Sequence, residues 1–235
     1  LIKIVRLYPE ILNLYGDYAN ADVFSRFLRD NGVENTIKDV STDEVPDLSN
    51  TDVIFIGAGT ERRTMSCIED IGKYSPELIE YSKSEGFILA TGNSLGLLCK
   101  TMTYGGETRE AAGLFDADVD FDNKRRYVEV IMKFKGVKTP ILGNINGTAE
   151  LSSKDDPMFE VVKSSQKIGV TEGIRKGRTF ATLLGGPLLV RNPDLLVAFA
   201  ETVAGRPLEN KEEEWFRYAL LSYDLVRKDL EEALK

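Results

Sequence analysis

Residues that do chemistry are scarce in this chain, and the scarcity narrows its function. None of the 235 residues is a histidine, the side chain whose unperturbed pKa lies near neutrality and that most often acts as general base beside a nucleophile. A Cys-His or Ser-His-Asp hydrolase is therefore excluded. The two cysteines, Cys67 and Cys99, stand alone with neither metal nor redox spacing, which excludes a structural zinc site and fits a reducing compartment. What remains is backbone and charge. The run Val53-Ile54-Phe55-Ile56 leads into Gly57-Ala58-Gly59, a strand followed by a glycine loop in which main-chain N–H groups can turn toward a carbonyl oxygen gathering negative charge. The same pattern also occurs as plain turn chemistry in parallel sheets. A second apolar run, Phe87 to Ala90, ends in the sharp turn Thr91-Gly92-Asn93 ahead of a helix. Carboxylates and arginines, Arg125 among them, complete the candidates.

The elements that must position these residues follow from periodicity. Ile2 to Leu7, a helix from about Asp17 to Asn31, Thr36 to Val40 and Val53 to Ile56 give the βαβ rhythm of a parallel sheet. A helical region is predicted from Arg62 to Glu85, broken near Ser75-Pro76, before the fully apolar strand Phe87 to Ala90. Beyond about Thr103 the pattern turns extended, with strands at Tyr127 to Phe134 and Ile141 to Asn144 and turns at Lys135-Gly136 and Asn146-Gly147. A strand at Thr179 to Leu184 precedes a helix from Pro193, capped by Asn192, and a long helix runs from about Asn210 to Leu234. That last helix places Trp215, Tyr218, Ala219, Ser222, Leu225 and Val226 on one face, read as core packing ahead of a partner-binding surface.

A net charge of -8 with both signs interspersed argues against a nucleic-acid partner. No stretch approaches the ~18 apolar residues of a membrane span, and Leu1-Ile2-Lys3-Ile4-Val5 is too short and too charged for a signal peptide. A soluble, cytoplasmic protein is expected. With no repeat, low-complexity tract or linker, residues 1–235 are read as a single domain.

Four separated segments carry a family resemblance. They are Leu7-Tyr8-Pro9-Glu10-Ile11-Leu12-Asn13-Leu14-Tyr15-Gly16-Asp17 with Asn20; Val53 to Gly59 with Glu61-Arg62; Ile88 to Leu98; and Glu172-Gly173-Ile174 with Ala181 to Leu189 and Asn192-Pro193. Together they resemble class I glutamine amidotransferases of the cobyric acid synthase type, and within that group the glutaminase subunit of bacterial lipid II isoglutaminyl synthase. The resemblance implies an α/β, flavodoxin-like three-layer sandwich whose mostly parallel central sheet carries antiparallel additions. It also implies no cofactor and no metal. Gly57, Ala58, Gly59 and Asn93 fall in the family's pocket, with the loop N–H groups facing the substrate's oxyanion. Arg125, or Arg126 if the alignment slips by one, falls near an arginine that helps hold glutamine.

The departures matter as much as the matches. Gly92 occupies the position of the family's nucleophilic Cys, and Gly185 that of its His before Gly-Pro. A family Asn-His-Gly-Gly stretch reads Asn146-Gly147-Thr148 here. Losing nucleophile and base from such a unit costs several orders of magnitude in rate. The resemblance then implies a catalytically inactive subunit that binds or regulates a Mur-ligase-type ATP-dependent partner in peptidoglycan precursor amidation. Two other readings stand beside it. One is an active glutaminase with a relocated nucleophile, Cys99 or Ser94, although Cys99 lies about 10 Å beyond Gly92 along a helix and Ser94 is read as a helix cap. The other is an amino-acid sensor that holds L-glutamine or another amino acid unreacted.

Overall fold

The computed structural model describes residues 1–84 and 86–235. The first half alternates strand and helix: β1 (Ile2–Leu7), α1 (Ala19–Asp30), β2 (Asn35–Val40), β3 (Val53–Ile56), α2 (Glu61–Ser66), α3 (Ile68–Gly72), α4 (Ser75–Lys83), β4 (Phe87–Thr91) and α5 (Leu95–Leu98). Short extended pieces follow: β5 (Thr101–Tyr104), β6 (Glu107–Glu110), β7 (Ala117–Asp120), β8 (Arg126–Lys133), β9 (Ile141–Gly147), β10 (Glu150–Ser153), β11 (Asp156–Ser164), β12 (Thr171–Lys176) and β13 (Thr179–Thr182). Three helices complete the order: α6 (Leu188–Arg191), α7 (Pro193–Ala204) and α8 (Glu214–Ala233).

Among the described residues, nine strands form one sheet in the order β2-β1-β3-β4-β13-β12-β11-β8-β9. The members from β2 to β13 are parallel, and β12, β11, β8 and β9 extend the sheet antiparallel. A smaller sheet, β10-β7-β5-β6, lies beside it. The result is a three-layer α/β sandwich. Period-two alternation in the central strands builds both cores: Val53, Phe55, Phe87 and Leu89 face α1 and α7, while Ile54, Ile56, Ile88 and Ala90 face α2 to α5. On the first face Phe180 stacks on Phe199 with centroids 4.8 Å apart, and Phe87 meets Phe199 edge-on at 5.2 Å. Such aromatic pairs add about 1 kcal/mol each beyond the area they bury.

The antiparallel extension curls back on the parallel half. Ile145 of β9 makes an antiparallel bridge to Leu184, and the Gly185 N–H donates to the Asn144 carbonyl at 2.9 Å. The strands from β13 through β9 therefore close into a ring that ends where Gly185 stands.

Several local expectations change. The helical stretch from Arg62 breaks at Cys67 and again at Lys73-Tyr74, and Pro76 sits in the first turn of α4, where its missing N–H costs nothing. The expected end at Glu85 lies outside the described residues. Asn146-Gly147 is not a turn but the end of β9, paired with Arg126 and Tyr127. Asn192 precedes α7 without capping it, because its side chain is spent on the Leu142 and Leu188 backbone. In α8 the buried residues are Phe216, Tyr223 and Leu230, spaced at seven; of the face read as core, Trp215 packs half-buried on the core, whereas Tyr218 and Leu225 are 62% and 66% exposed. Packing of Phe216 against Phe27, with ring centroids 5.2 Å apart, sets which side of the helix is buried.

Candidate functional site

The site assembles where β3 and β4 end side by side. β4 passes through Thr91 into one tight helical turn, Gly92–Ser94, and then α5. Gly92 has φ +59°, a left-handed conformation that suits glycine. A Cβ on Gly92 would lie 2.7 Å from the Ala58 Cβ, closer than two carbons can stand. Gly57 is required for another reason, since a Cβ there would collide with the Leu12 carbonyl. The glycine loop is thus clamped between the β1–α1 connection and the β4 turn.

The clamp is polar and buried. Asp17 accepts from the Ala58 N–H at 2.7 Å, from Asn20 Nδ2 at 3.0 Å and from the Thr91 hydroxyl. Burial pushes its carboxyl up to about 7, against the opposing pull of those three donors. Asn20 in turn accepts from the Leu189 N–H at 2.7 Å, which ties the first motif to α6. The Gly57 N–H donates to the Tyr18 hydroxyl at 3.2 Å, Ser94 Oγ donates to the Gly57 carbonyl at 2.5 Å, and Asn93 Nδ2 donates to the Gly59 carbonyl at 3.0 Å. Two of the three loop donors expected to face an oxyanion, those of Gly57 and Ala58, are therefore used within the protein. Ser94 does not cap its helix either; its hydroxyl is fully buried on the loop.

Arg125 joins this region by an ion pair. Its Nη2 lies 2.7 Å from Glu61 Oε1, with the arginine side chain 54% and the glutamate 10% exposed. Thr148 Oγ1 donates to the Phe121 carbonyl at 2.7 Å and lies 3.3 Å from the same Glu61 oxygen, and Arg125 Nη1 reaches the Asn146 carbonyl at 3.3 Å. Asn146 Nδ2 reaches the Tyr15 hydroxyl at 3.3 Å. Arg125, not Arg126, thus borders the glycine loop through α2, while Arg126 lines a separate cavity. Gly185 completes the cluster. The Gly92 N–H donates to the Leu184 carbonyl at 3.0 Å, and a Cβ on Gly185 would find its nearest neighbour, the Asn144 carbonyl, 3.9 Å away.

The remaining nucleophile candidates sit poorly for attack. Cys99 is buried with its thiol 3.5 Å from the Leu95 carbonyl, and burial pushes it up to about 12. Cys67, also buried, is pushed up to about 12 for the same reason. Reading residue types missed the acceptors Asp17, Glu61 and Glu172. Each stands within or beside a glycine-bearing motif, where backbone N–H groups need a carboxylate; that adjacency was the available signal.

A glycine loop after one parallel strand, packed under a strand-turn-helix from the next in a large mixed sheet, defines the class I glutamine amidotransferase-like fold. The chain belongs to the CobB/CobQ-like glutamine amidotransferase domain family, whose model matches residues 3–193. It is similar to the GatD subunit of the lipid II isoglutaminyl synthase (glutamine-hydrolyzing) of Streptococcus pneumoniae, 23% identical over 209 residues that cover 86% of this chain and 80% of that one. Two solved glutamine amidotransferases share the fold. One is 16% identical with a TM-score of 0.53, covering 85% of this chain and 98% of its own. The other, from Thermotoga maritima, is 12% identical with a TM-score of 0.53, covering 99% and 94%. Among the described residues no helix is long and apolar enough to cross a membrane.

Proposed function

We propose that this chain is a glutamine amidotransferase-like subunit that has lost glutaminase chemistry and acts by binding, as the structural or regulatory partner of a Mur-ligase-type ATP-dependent enzyme of peptidoglycan precursor amidation in the bacterial cytoplasm. The observation that carries the reading is the turn at Gly92. It keeps the left-handed geometry of a nucleophile elbow, yet the space a side chain would enter is taken by the Ala58 Cβ at 2.7 Å. With Gly185 at the other family position and no histidine in the chain, neither thiolate attack nor proton transfer has a residue to perform it. The likeness to the GatD subunit supports the choice of pathway and partner. Relocation of the nucleophile is disfavoured, because thiols held near 12 supply almost no thiolate at neutral pH.

The test is ammonia release from L-glutamine by the purified chain, alone and with the candidate ligase. The expected result is no release above buffer. A combined Ala58→Gly, Gly92→Cys, Gly185→His variant is expected to gain some, because it restores both groups and clears the space for the first. Substantial release from the unmodified chain would sink the proposal. Co-purification with the ligase tests the partner separately.

A further inference from the structure

The ring of strands closed by the Ile145–Leu184 bridge has a mouth that the amidotransferase reading does not use. It is a cavity of about 570 Å³, in the range of small-molecule sites. None of Gly57, Ala58, Gly59, Gly92, Asn93, Arg125 or Gly185 lines it. Its apolar wall includes Ile145, Leu151, Ile168 and Leu183, four branched side chains that are each only half-buried although they lie beside packed cores. Of the lining charges, Glu150 is exposed to solvent, and two that are shielded from it have no ion pair among the described residues: Arg126 and Glu172. Among the described residues the Arg126 side chain makes no ion pair and no hydrogen bond, although the residue is half-buried.

Glu172 is the opposite pole. It is buried on β12 and accepts from Thr182 Oγ1 at 2.6 Å and from the Leu183 N–H at 2.7 Å, with no cation paired to it among the described residues. A carboxylate offers about four acceptor sites, so about two stay open. The half-buried acid of the lining, Asp155, is already engaged by the Asp116 N–H at 2.6 Å and by Lys176 at 3.9 Å. An unpaired guanidinium, an unpaired buried carboxylate and an aliphatic wall around one cavity match one ligand chemistry.

We propose that this cavity binds a free α-amino acid with an aliphatic side chain, its ammonium on Glu172, its carboxylate on Arg126 and its side chain against Ile145, Leu151, Ile168 and Leu183. Guanidinium suits the carboxylate because its planar fork can bind both oxygens. Burial pushes the Glu172 carboxyl up to about 7, so an arriving ammonium supplies the charge partner that the protein leaves out. The cavity is not lined by the glycine loop, Gly92 or Arg125, and its occupancy does not depend on whether glutaminase chemistry is absent.

Calorimetric titration of the intact chain with L-norleucine tests the proposal, beside n-pentylamine, which lacks the carboxylate, and hexanoate, which lacks the ammonium. Saturable norleucine binding is expected, weakened about tenfold or more by loss of either charge from the ligand. Glu172→Gln and Arg126→Met should each weaken it by a similar factor. Arg126→Met removes a side chain with no partner in the protein, so the fold is expected to survive even where Glu172→Gln impairs it. Absence of norleucine binding overturns the proposal. So does binding that both variants leave unchanged, or binding that Arg125→Ala abolishes, which would place the ligand beside the glycine loop.

Discussion

Gly92 and Gly185 are joined by a single hydrogen bond, from the Gly92 N–H to the carbonyl preceding Gly185, yet the two positions are glycine on different terms. At Gly92 the backbone has φ +59° and a side chain would meet Ala58 at 2.7 Å. Gly185 has no left-handed φ, and the nearest atom to a Cβ there is 3.9 Å away. One position is held by strain and contact together, and the other merely happens to carry no side chain. The surroundings have closed over the turn at Gly92 and left the wall at Gly185 open, so a side chain is harder to place at the first position than at the second.

The sharpest way to break this comparison is Gly92→Cys. Left-handed strain and overpacking against Ala58 are expected to cost about 3 kcal/mol together, read as a fall in the urea midpoint; an unchanged midpoint would mean that the loop yields freely. Next is the pH dependence of the clamp. The Asp17 carboxyl is raised from its ordinary value of about 3.9 to about 7 in the fold. Its contribution is therefore complete below pH ~4 and is lost as pH rises through about 7, because the unfolded chain releases the proton first. Denaturation midpoints are expected to fall by about 2 kcal/mol of stability between pH 5 and 7.5 from this group. That component disappears in Asp17→Asn, and if the variant retains the full fall, Asp17 is not its source.

Adding Ala58→Gly to Gly92→Cys should recover about 1.5 kcal/mol by removing the contact while leaving the strained φ. No recovery would assign the cost to the backbone alone. Arg125→Ala is expected to cost about 1 kcal/mol, discounted because the arginine is half in solvent although Glu61 is not. Thermal melting at high and low salt checks it. The smallest effect is that of Gly185→His, within about 0.5 kcal/mol; a large loss there would erase the asymmetry from which these predictions start.

Much of the fold was legible because its signals are local. β3 and the parallel strands around it follow from short β-branched runs, and the turn at Thr91-Gly92-Asn93 from glycine after an apolar strand. The long first motif pointed to a connection between β1 and α1, which is where Tyr8 to Gly16 lie. It did not reveal why Asp17 and Asn20 belong to it. Their partners Ala58, Thr91 and Leu189 are far along the chain, and only packing brings them within hydrogen-bond reach. The Asn146-Gly147 turn failed for a related reason. The dipeptide is turn-prone by itself, but pairing with Arg126 and Tyr127 holds it extended.

By itself the sequence determined that no histidine is available, that the thiols are two and isolated, and that strand and helix alternate through the first half. Those are matters of residue identity and of repeats of two and 3.6 residues, which need no partner segment. The tertiary structure alone decided that Ala58 fills the space above Gly92, that the Gly57 and Ala58 donors are spent inside the protein, and that Arg126 and Glu172 share a cavity apart from Arg125. Each of these depends on the distance between segments remote in sequence, which close packing of side chains fixes and residue spacing does not.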